Sequence, residues 1–237
     1  MNRKYAEFLT QKTKKDYNLL AEDYTRTRAF IPEDIKEMAD FVFSGDKVLD
    51  SGCASGRLFW VLKAKNVEYS GIDISEELIG IAKRCYPGAN FQVANVDNLP
   101  FPDNYFDKVL SVSVLHHIPS KQLRLQYLKE SYRVLRPHGL LVLRVWDFWR
   151  RKKAVELIAK FTFLKLTGKS KLDFNDVFLP WKDSEGSPVI QRYFHCFTKG
   201  ELKKLATGSG FKVKKIWRAG KDPRTNIYLI AEKQLRD

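Results

Sequence analysis

Cysteine, which binds metals and cross-links small proteins, is scarce in this chain. Its 237 residues include three cysteines, Cys53, Cys85 and Cys196, and no two of them stand in C-x-x-C spacing. An odd number of scattered cysteines predicts neither a disulfide framework nor a zinc site. We therefore expect no bound metal and a reducing, cytoplasmic location.

Long apolar runs are missing too, and acidic residues are outnumbered by basic ones. No segment approaches the length needed to cross a membrane, and residues 1–7 lack the apolar core of a signal peptide. Lys and Arg outnumber Asp and Glu by 42 to 28, which gives a net charge of +14. Such a surplus favours a partner with a phosphate backbone, although a generally solvated basic surface would give the same total.

What the chain does contain is a strand, a glycine turn and a helix in succession. Residues 47–50 predict a short buried strand, Gly52 and Gly56 bracket a tight turn, and residues 57–64 continue as a predicted helix. Glycines at such a turn let a ligand approach the backbone N–H groups at a helix N-terminus. The stretch therefore predicts a concave binding site.

Two carboxylates indicate which ligand this site takes. Asp73 ends the next predicted strand about twenty residues after the turn, the offset at which an acid meets ribose hydroxyls. Asp50 ends the first strand itself, where a carboxylate would repel a pyrophosphate but suit an amine and a positively charged sulfur. The pattern favours S-adenosylmethionine over a dinucleotide.

These features resemble the class I S-adenosylmethionine-dependent methyltransferases. The matching segments, in order, are Asp50-x-Gly52-x-x-x-Gly56, Asp73, residues 95–101, residues 106–118 and residues 133–141. Ala54-Ser55 departs from the family's first motif, which has a further glycine there, and we expect weaker cofactor binding from it. The resemblance implies a set of cofactor-binding residues: Tyr24, Asp50, Gly52, Cys53, Ala54, Gly56, Asp73, Ile74, Val96, Asp97, Asn98 and Ser113.

Beyond the turn, predicted strands and helices alternate. Strands are expected at 47–50, 67–72, 90–94, 106–113 and 139–147, helices at 57–64, 75–85 and 120–136, and a closing antiparallel pair at 211–218 and 226–232. This order predicts a doubly wound α/β fold, with a seven-stranded, mostly parallel, Rossmann-like sheet whose strands place ligands at their carboxyl ends.

We expect a single domain over 1–237. Its parts are N-terminal helices that form a lid (1–43), a cofactor-binding core (44–147), a basic helical insertion (148–190) and the C-terminal part of the sheet (191–237). Within the insertion, residues 148–172 hold eight bases against the single Glu156, interleaved with apolar residues at helical spacing. This pattern predicts a basic amphipathic helix that binds phosphates, rests on a membrane surface, docks a partner or packs on its own domain.

The C-terminal part is similar to the tRNA wobble-uridine methyltransferases, which esterify 5-carboxymethyluridine at the first anticodon position. The similar motifs are Leu179-Pro180-Trp181, Arg192-Tyr193-Phe194-His195-x-Phe197-x-x-x-Glu201-Leu202, Asn226-x-Tyr228-x-Ile230-Ala231-Glu232-Lys233 and Tyr24-x-x-Thr27-Arg28. Ile31-Pro32 replaces a usual Trp-Pro. The resemblance implies tRNA as a partner, and a small zinc-binding activator subunit because some lineages use one.

The acceptor's chemistry sets what the site must do. A carboxylate is already ionised at neutral pH, so no general base is needed and the site has only to align donor and acceptor. We expect four residues to orient the acceptor: Arg28, His116, Tyr193 and His195. For the RNA we expect Trp181 to stack on a base and four cations to bind phosphates: Arg150, Lys152, Lys153 and Arg192.

Two other functions fit the same residues. One is methyl transfer to a small molecule, a quinone precursor or a lipid, with the basic segment resting on a membrane surface. The other is a non-catalytic RNA-binding scaffold that retains only the methyltransferase fold.

Overall fold

The computed structural model describes residues 1–28, 30–182, 188–220 and 225–235. The helices are α1 (Arg3–Leu19), α2 (Ala21–Thr27), α3 (Glu33–Lys36), α4 (Arg57–Leu62), α5 (Glu76–Cys85), α6 (Lys121–Val134), α7 (Lys152–Leu166) and α8 (Lys199–Gly208). The strands are β1 (Lys47–Ser51), β2 (Glu68–Asp73), β3 (Asn90–Val93), β4 (Phe106–Val112), β5 (Leu135–Trp146), β6 (Asp176–Lys182), β7 (Pro188–His195), β8 (Phe211–Ala219) and β9 (Asn226–Lys233).

Seven of these strands form one sheet, in the order β3-β2-β1-β4-β5-β9-β8. The first five run parallel, and β9 is antiparallel to both of its neighbours, β5 and β8. The central strands β1 and β4 are almost entirely buried, as expected of apolar strands covered by helices on both faces. The predicted doubly wound Rossmann-like sheet with an antiparallel closing pair is confirmed.

A hydrophobic layer covers each face of this sheet. On one face α6 and α8 contribute Leu128 and Leu205 to a core that also contains Phe106. On the other face Met38, from a 3₁₀ turn after α3, and Leu62 of α4 are fully buried. Each buried side chain of this size contributes about 1.5 to 3 kcal/mol to folding. The two layers fix the sheet and, with it, the strand ends that carry the site.

Side-chain caps start the helices that follow the sheet strands. Ser75 accepts a hydrogen bond from the backbone N–H of Leu78 at the start of α5, and Ser120 accepts one from Leu123 at the start of α6. Caps of this kind satisfy N–H groups that have no partner within the helix. They hold the N-termini of α5 and α6 beside the carboxyl ends of β2 and β4.

One boundary differs from the prediction. The helix expected to run to residue 136 ends at Val134, and β5 begins at Leu135, four residues before the expected strand. Leu135 pairs with Phe106, and the register then shifts so that Lys108 pairs with Leu140. The turn expected at Pro137-Gly139 is therefore an irregularity inside a paired strand.

The segment expected as an insertion forms more than a helix. After α7, strands β6 and β7 pair as an antiparallel hairpin that is separate from the main sheet and extends to His195, past the expected boundary at residue 190. Residues 183–187 of this segment lie outside the described residues. No helix in the described part of the chain is long and apolar enough to span a membrane.

Candidate active site

The turn after β1 needs both of its glycines. Gly52 has a φ of +83°, and a Cβ there would lie 2.2 Å from a methyl carbon of Val114. Gly56 has a φ of +78°, and a Cβ there would lie 2.6 Å from the ring of Phe91. L-residues with a side chain rarely adopt this backbone region. The turn therefore keeps the shape predicted from its glycine spacing.

Ala54 lies inside this turn and also adopts the left-handed region, with a φ of +49°. Its backbone N–H donates to Oδ2 of Asp73 at 3.0 Å, and the N–H of Ser75 donates to Oδ1 at 2.9 Å. Burial raises the pKa of Asp73, and these backbone donors oppose part of that rise. The alanine thus holds the acid at the end of β2 in place.

Asp50 lies deeper than the sequence suggested. Its side chain is 2% exposed and accepts a hydrogen bond from the hydroxyl of Tyr69 at 2.8 Å. Burial raises the pKa of Asp50 to about 7, the Tyr69 hydrogen bond opposes the rise, and the charge of Asp73 adds to it. Asp50 is buried and lines neither of the cavities described next.

Two adjoining cavities, of about 530 and 450 Å³, form one cleft at the carboxyl ends of β1, β2 and β4. Both are lined by Thr13, Gly52, Asp73, Ile74, Val114 and His117. The larger one adds Thr10, Asn95, Val96, Asp97, Ile118, Pro119 and Leu123. The smaller one adds Tyr17, Tyr24, Ala54, Leu78, Val112 and Ser113.

The cleft suits S-adenosylmethionine in shape and in donor set. Asp73 stands where ribose hydroxyls would be bound, and Val96 and Leu123 give the larger cavity apolar walls for an adenine. Asp97 is half-buried at the same end, and its burial raises its pKa. The smaller cavity, with Gly52 and Ala54, would hold the methionine part.

Helix α1 closes one side of the cleft; the N-terminal helices were expected to form a lid, but the residues of α1 that line the cavities were not identified. Thr10, Thr13 and Tyr17 line the cavities although they precede the glycine turn by more than thirty residues. The signal was present only as an amphipathic helix, which indicates a buried face but not what that face covers. Tyr24, from α2, lines the smaller cavity.

His117, and not His116, faces the cleft. Nδ1 of His117 lies 3.2 Å from the carbonyl oxygen of Tyr193, which can only accept, so Nδ1 carries the hydrogen and Nε2 accepts from the Tyr17 hydroxyl at 2.9 Å. Burial, followed by the charge of Arg192, lowers the pKa of His117 to about 3. It is a neutral group at physiological pH.

His116 is fully buried and lines neither cavity. Its Nδ1 accepts from the backbone N–H of Trp146 at 3.3 Å, and its ring packs against Phe194 with centroids 5.4 Å apart. Burial holds the pKa of His116 well below its ordinary value. His116, which we expected to orient the acceptor, therefore does not reach the cleft, and His117 lines it instead.

Two arginines and a tryptophan lie beside the smaller cavity. The guanidinium of Arg192 is 4.7 Å from the ring centroid of Trp181, and that of Arg28 is 5.3 Å from the same ring. Arg28 also lies 5.3 Å from the ring of Tyr24, and burial lowers the pKa of Arg28. The indole N–H of Trp181 donates to Asp23 at 2.8 Å.

Comparison with known proteins agrees with this geometry. A methyltransferase domain model matches residues 49–143, and a putative methyltransferase of Encephalitozoon cuniculi is 32% identical over 168 residues, 70% of each chain. A solved S-adenosylmethionine-dependent methyltransferase of Methanosarcina mazei superposes with a TM-score of 0.72 at 26% identity, over 84% of this chain and 98% of that one. The chain belongs to the S-adenosylmethionine-dependent methyltransferases.

Some relatives of this methyltransferase are named for tRNA. The tRNA (carboxymethyluridine(34)-5-O)-methyltransferase of Schizosaccharomyces pombe is 29% identical over 207 residues, 80% of this chain and 82% of that one. Four further tRNA methyltransferases are longer, and the chain spans only 24% to 35% of their length. A Haloferax volcanii putative methyltransferase, solved in complex with the Trm112 activator, shares the fold at a TM-score of 0.60 and 16% identity, over 92% of this chain and 98% of that one.

Some residues that we expected at the methyltransferase's cofactor do not line the cleft. Cys53 is buried behind the turn, Gly56 starts α4, and Asn98 is exposed. They shape the loops around the cleft. No three of the described His, Cys, Asp and Glu side chains are grouped so that they could hold a metal ion.

Tyr193 and His195 lie in a buried polar cluster instead of the cleft. Nδ1 of His195 lies 2.6 Å from Asp176 and Nε2 lies 2.8 Å from Glu201. The hydroxyl of Tyr193 accepts from Arg124 at 3.3 Å. In the methyltransferase this cluster joins the hairpin to α6 and α8. The phosphate-binding candidates at the start of α7, Arg150, Lys152 and Lys153, are exposed and line neither cavity.

Proposed function

We propose that this methyltransferase transfers the methyl group of S-adenosylmethionine to the carboxylate of 5-carboxymethyluridine in a tRNA anticodon. The observation that carries the proposal is Arg192, a buried cation beside the cleft. Its guanidinium lies over the rings of Trp181 and Phe194, and no ion pair to it is found among the described residues.

Arg192 is 8% exposed, and its Nε has no hydrogen-bond partner within the described residues. Its positive charge opposes the burial-driven rise in the pKa of the nearby Asp16, which pairs with Lys12 at 2.5 Å, and its hydrogen bond to Tyr17 opposes the rise in the pKa of that hydroxyl. Burying an unpaired charge is costly, and a guanidinium offers a planar fork that matches a carboxylate. Arg192 is therefore a receptor for an anionic acceptor.

Flat surfaces beside Arg192 suit a base that carries such a carboxylate. Trp181 is buried, with the guanidinium groups of Arg192 and Arg28 near its ring, and Tyr24, whose ring centroid is 6.1 Å away, is half-buried and lines the smaller cavity. Aromatic and guanidinium planes are the surfaces on which proteins stack unpaired RNA bases. The acceptor's base would be held here while Arg192 orients its carboxylate.

The neutral histidine in the cleft also favours an acceptor that is already ionised. A general base works best when its pKa is near the operating pH, and that of His117 is lowered to about 3. His117 would therefore position Tyr17 and the acceptor without taking a proton. A carboxylate needs no deprotonation, so the chemistry and the site agree.

When bound, S-adenosylmethionine supplies an electrophilic methyl group on a positively charged sulfur. An oxygen–carbon bond forms as the carbon–sulfur bond breaks, the acceptor loses its negative charge, and no proton moves. Asp73 and Asp97 would hold the nucleoside half of the cofactor. Ala54 and Gly52 would leave room for its methionine half, and Arg192 would hold the acceptor in line with it.

The relative from Schizosaccharomyces pombe supports the same acceptor through its name and its match over 82% of its length. An activator subunit stays a prediction for this chain, because the neighbour solved with Trm112 shares only the fold at 16% identity. Cytoplasmic location stays a prediction as well.

The test is methyl transfer from labelled S-adenosylmethionine to tRNA that contains 5-carboxymethyluridine, beside a lipid extract. We expect label in tRNA that mild alkali releases, since a methyl ester hydrolyses where an N- or C-methyl group does not. Arg192→Gln should lower kcat/KM by about a hundredfold, the loss of one charge-assisted hydrogen-bonding group, with cofactor affinity unchanged. Lys204→Gln, at an exposed lysine of α8 that lines neither cavity, is the control.

Two outcomes would point elsewhere. Label in the lipid extract would favour the small-molecule alternative, for which the exposed Phe163 and Leu166 on α7 offer a membrane-facing surface. Binding of tRNA without any methyl transfer would favour the non-catalytic scaffold.

A further inference from the structure

A second groove, of about 850 Å³, lies outside the cofactor cleft, between α1, α7 and the β6–β7 hairpin. Leu157, Phe161, Phe178 and Pro180 form its apolar walls, and Lys12 and Lys160 lie along it. Among the described residues no carboxylate lines the groove, unlike the cofactor cleft, which holds Asp73 and Asp97. Apolar walls with lysines beside them suit a ligand that is both flat and anionic.

The lysines at the groove differ in their ion pairs and hydrogen bonds. Lys12 donates to the backbone carbonyl of Gln191 at 2.7 Å and pairs with Asp16. Lys160 is exposed and, within the described part of the chain, has no ion pair. Lys153, seven residues earlier, lies on the same side of α7 and is also exposed. Lys160, whose Nζ lies 5.9 Å from the Phe161 ring centroid, thus borders the apolar groove, and Lys153 follows it along the same side of α7.

The hairpin connects this groove to the proposed acceptor site. Pro180 and Gln191 are paired across the hairpin and line the groove, while Trp181 and Arg192 each come one residue later. Successive side chains of a strand point to opposite faces. One two-stranded ribbon therefore presents the acceptor-site residues on one face and a wall of the groove on the other.

The aromatic walls leave flat surfaces for stacking. The rings of Phe161 and Phe178 meet edge-on, with centroids 6.0 Å apart and an interplanar angle of 66°, and both are only half-buried. Pro180 is exposed beside them. Proteins that bind single-stranded nucleic acid combine such rings, on which bases stack, with cations that follow the backbone.

We propose that this groove binds a nucleotide next to the acceptor in single-stranded RNA, with its base on the apolar walls and its phosphate at Lys160 and Lys153. The inference rests on the proposed function and adds a second subsite to it. The charge of the segment favours RNA as the occupant, since residues 148–172 hold eight bases and one acid.

The test measures binding and methylation of a synthetic anticodon stem-loop that carries 5-carboxymethyluridine, beside the free nucleoside. Lys160→Glu should raise the KM for the stem-loop about tenfold and leave the kcat and the reaction of the nucleoside unchanged. It should also reduce the log–log salt slope by about 0.7, the loss of one phosphate contact on a single strand. Lys204→Glu, a matched exposed lysine on α8, should behave as the wild type does.

A photo-crosslink locates the contact directly. With 5-iodouridine in place of a nucleotide beside the acceptor, the crosslinked peptide should contain Phe161 or Phe178. An unchanged KM and salt slope in Lys160→Glu, while the wild type methylates the stem-loop normally, would overturn the groove proposal and leave the proposed function standing. If Lys160→Glu loses binding to phosphatidylglycerol vesicles but keeps its binding to RNA, the groove proposal is overturned in favour of a membrane-surface role for α7.

Discussion

Replacing Asp50 with asparagine tests the electrostatics beneath the cofactor cleft. Burial raises the pKa of Asp50 from its ordinary 3.8 to about 7, so the folded protein holds this proton more tightly than the unfolded chain does. Unfolding therefore releases a proton between about pH 4 and pH 7, and the wild type loses stability as the pH rises through that window. The Asp50→Asn variant lacks this loss, and Tyr69 can still donate to its side-chain oxygen.

The magnitude follows from the two pKa values. From about pH 5 to about pH 8 the free energy of unfolding of the wild type, relative to the variant, should fall by about 3 kcal/mol and then level off. Urea unfolding followed by tryptophan fluorescence measures both proteins at each pH. Because Asp73 is present in both, the difference isolates Asp50. A difference that stays constant across this pH range would refute the buried-acid account.

Two further predictions concern the turn and the hairpin. Ala54→Gly should raise the free energy of unfolding by about 0.5 to 1 kcal/mol, because relief of the left-handed strain exceeds the added entropy of the unfolded chain. The cofactor affinity of this variant should stay within about threefold of that of the wild type, because the backbone N–H of Ala54 already donates to Asp73. A much larger gain in affinity would support the expectation that the alanine weakens cofactor binding. His195→Ala should lower the free energy of unfolding by about 3 to 5 kcal/mol, because Asp176 and Glu201 lose their shared partner. If His195 were catalytic instead, activity would disappear while the urea midpoint stayed unchanged.

The core of the fold and its nucleotide-binding turn could be predicted because both follow local rules. Alternating strands and helices specify a parallel sheet, and the spacing of Gly52, Gly56 and Asp73 specifies a turn beside a ribose acid. The turn also has a steric requirement, namely that a Cβ at Gly52 would overlap Val114. Residue type and spacing were enough in this part of the chain.

The walls of the site could not be predicted, because distant segments build them. Tyr17 reaches the cleft from α1, and its hydroxyl hydrogen-bonds to His117, which lies 100 residues later in the chain. The hairpin that carries Trp181 and Arg192 has two prolines and several charged residues in its strands, which weaken any strand signal. Tertiary contacts with α1 and α7 hold it.

The choice between the two adjacent histidines depends on three-dimensional detail of the same kind. His116 and His117 lie on a 3₁₀ turn that follows Ser113, a residue with a φ of +63°. This left-handed backbone conformation at Ser113 determines which of the two rings points into the cleft. Nothing in the residue types of a His-His pair specifies it, so sequence reasoning chose the buried one.

The central claim is that Asp73 and its neighbours hold S-adenosylmethionine at this cleft, and calorimetric titration of the cofactor into the wild type and Asp73→Asn tests it most directly. We predict that the wild type binds and that the variant binds about ten- to a hundredfold more weakly, because hydrogen bonds to a charged acceptor contribute about 1.5 to 3 kcal/mol. Equal affinities in two folded proteins, or no binding by the wild type, would contradict the account.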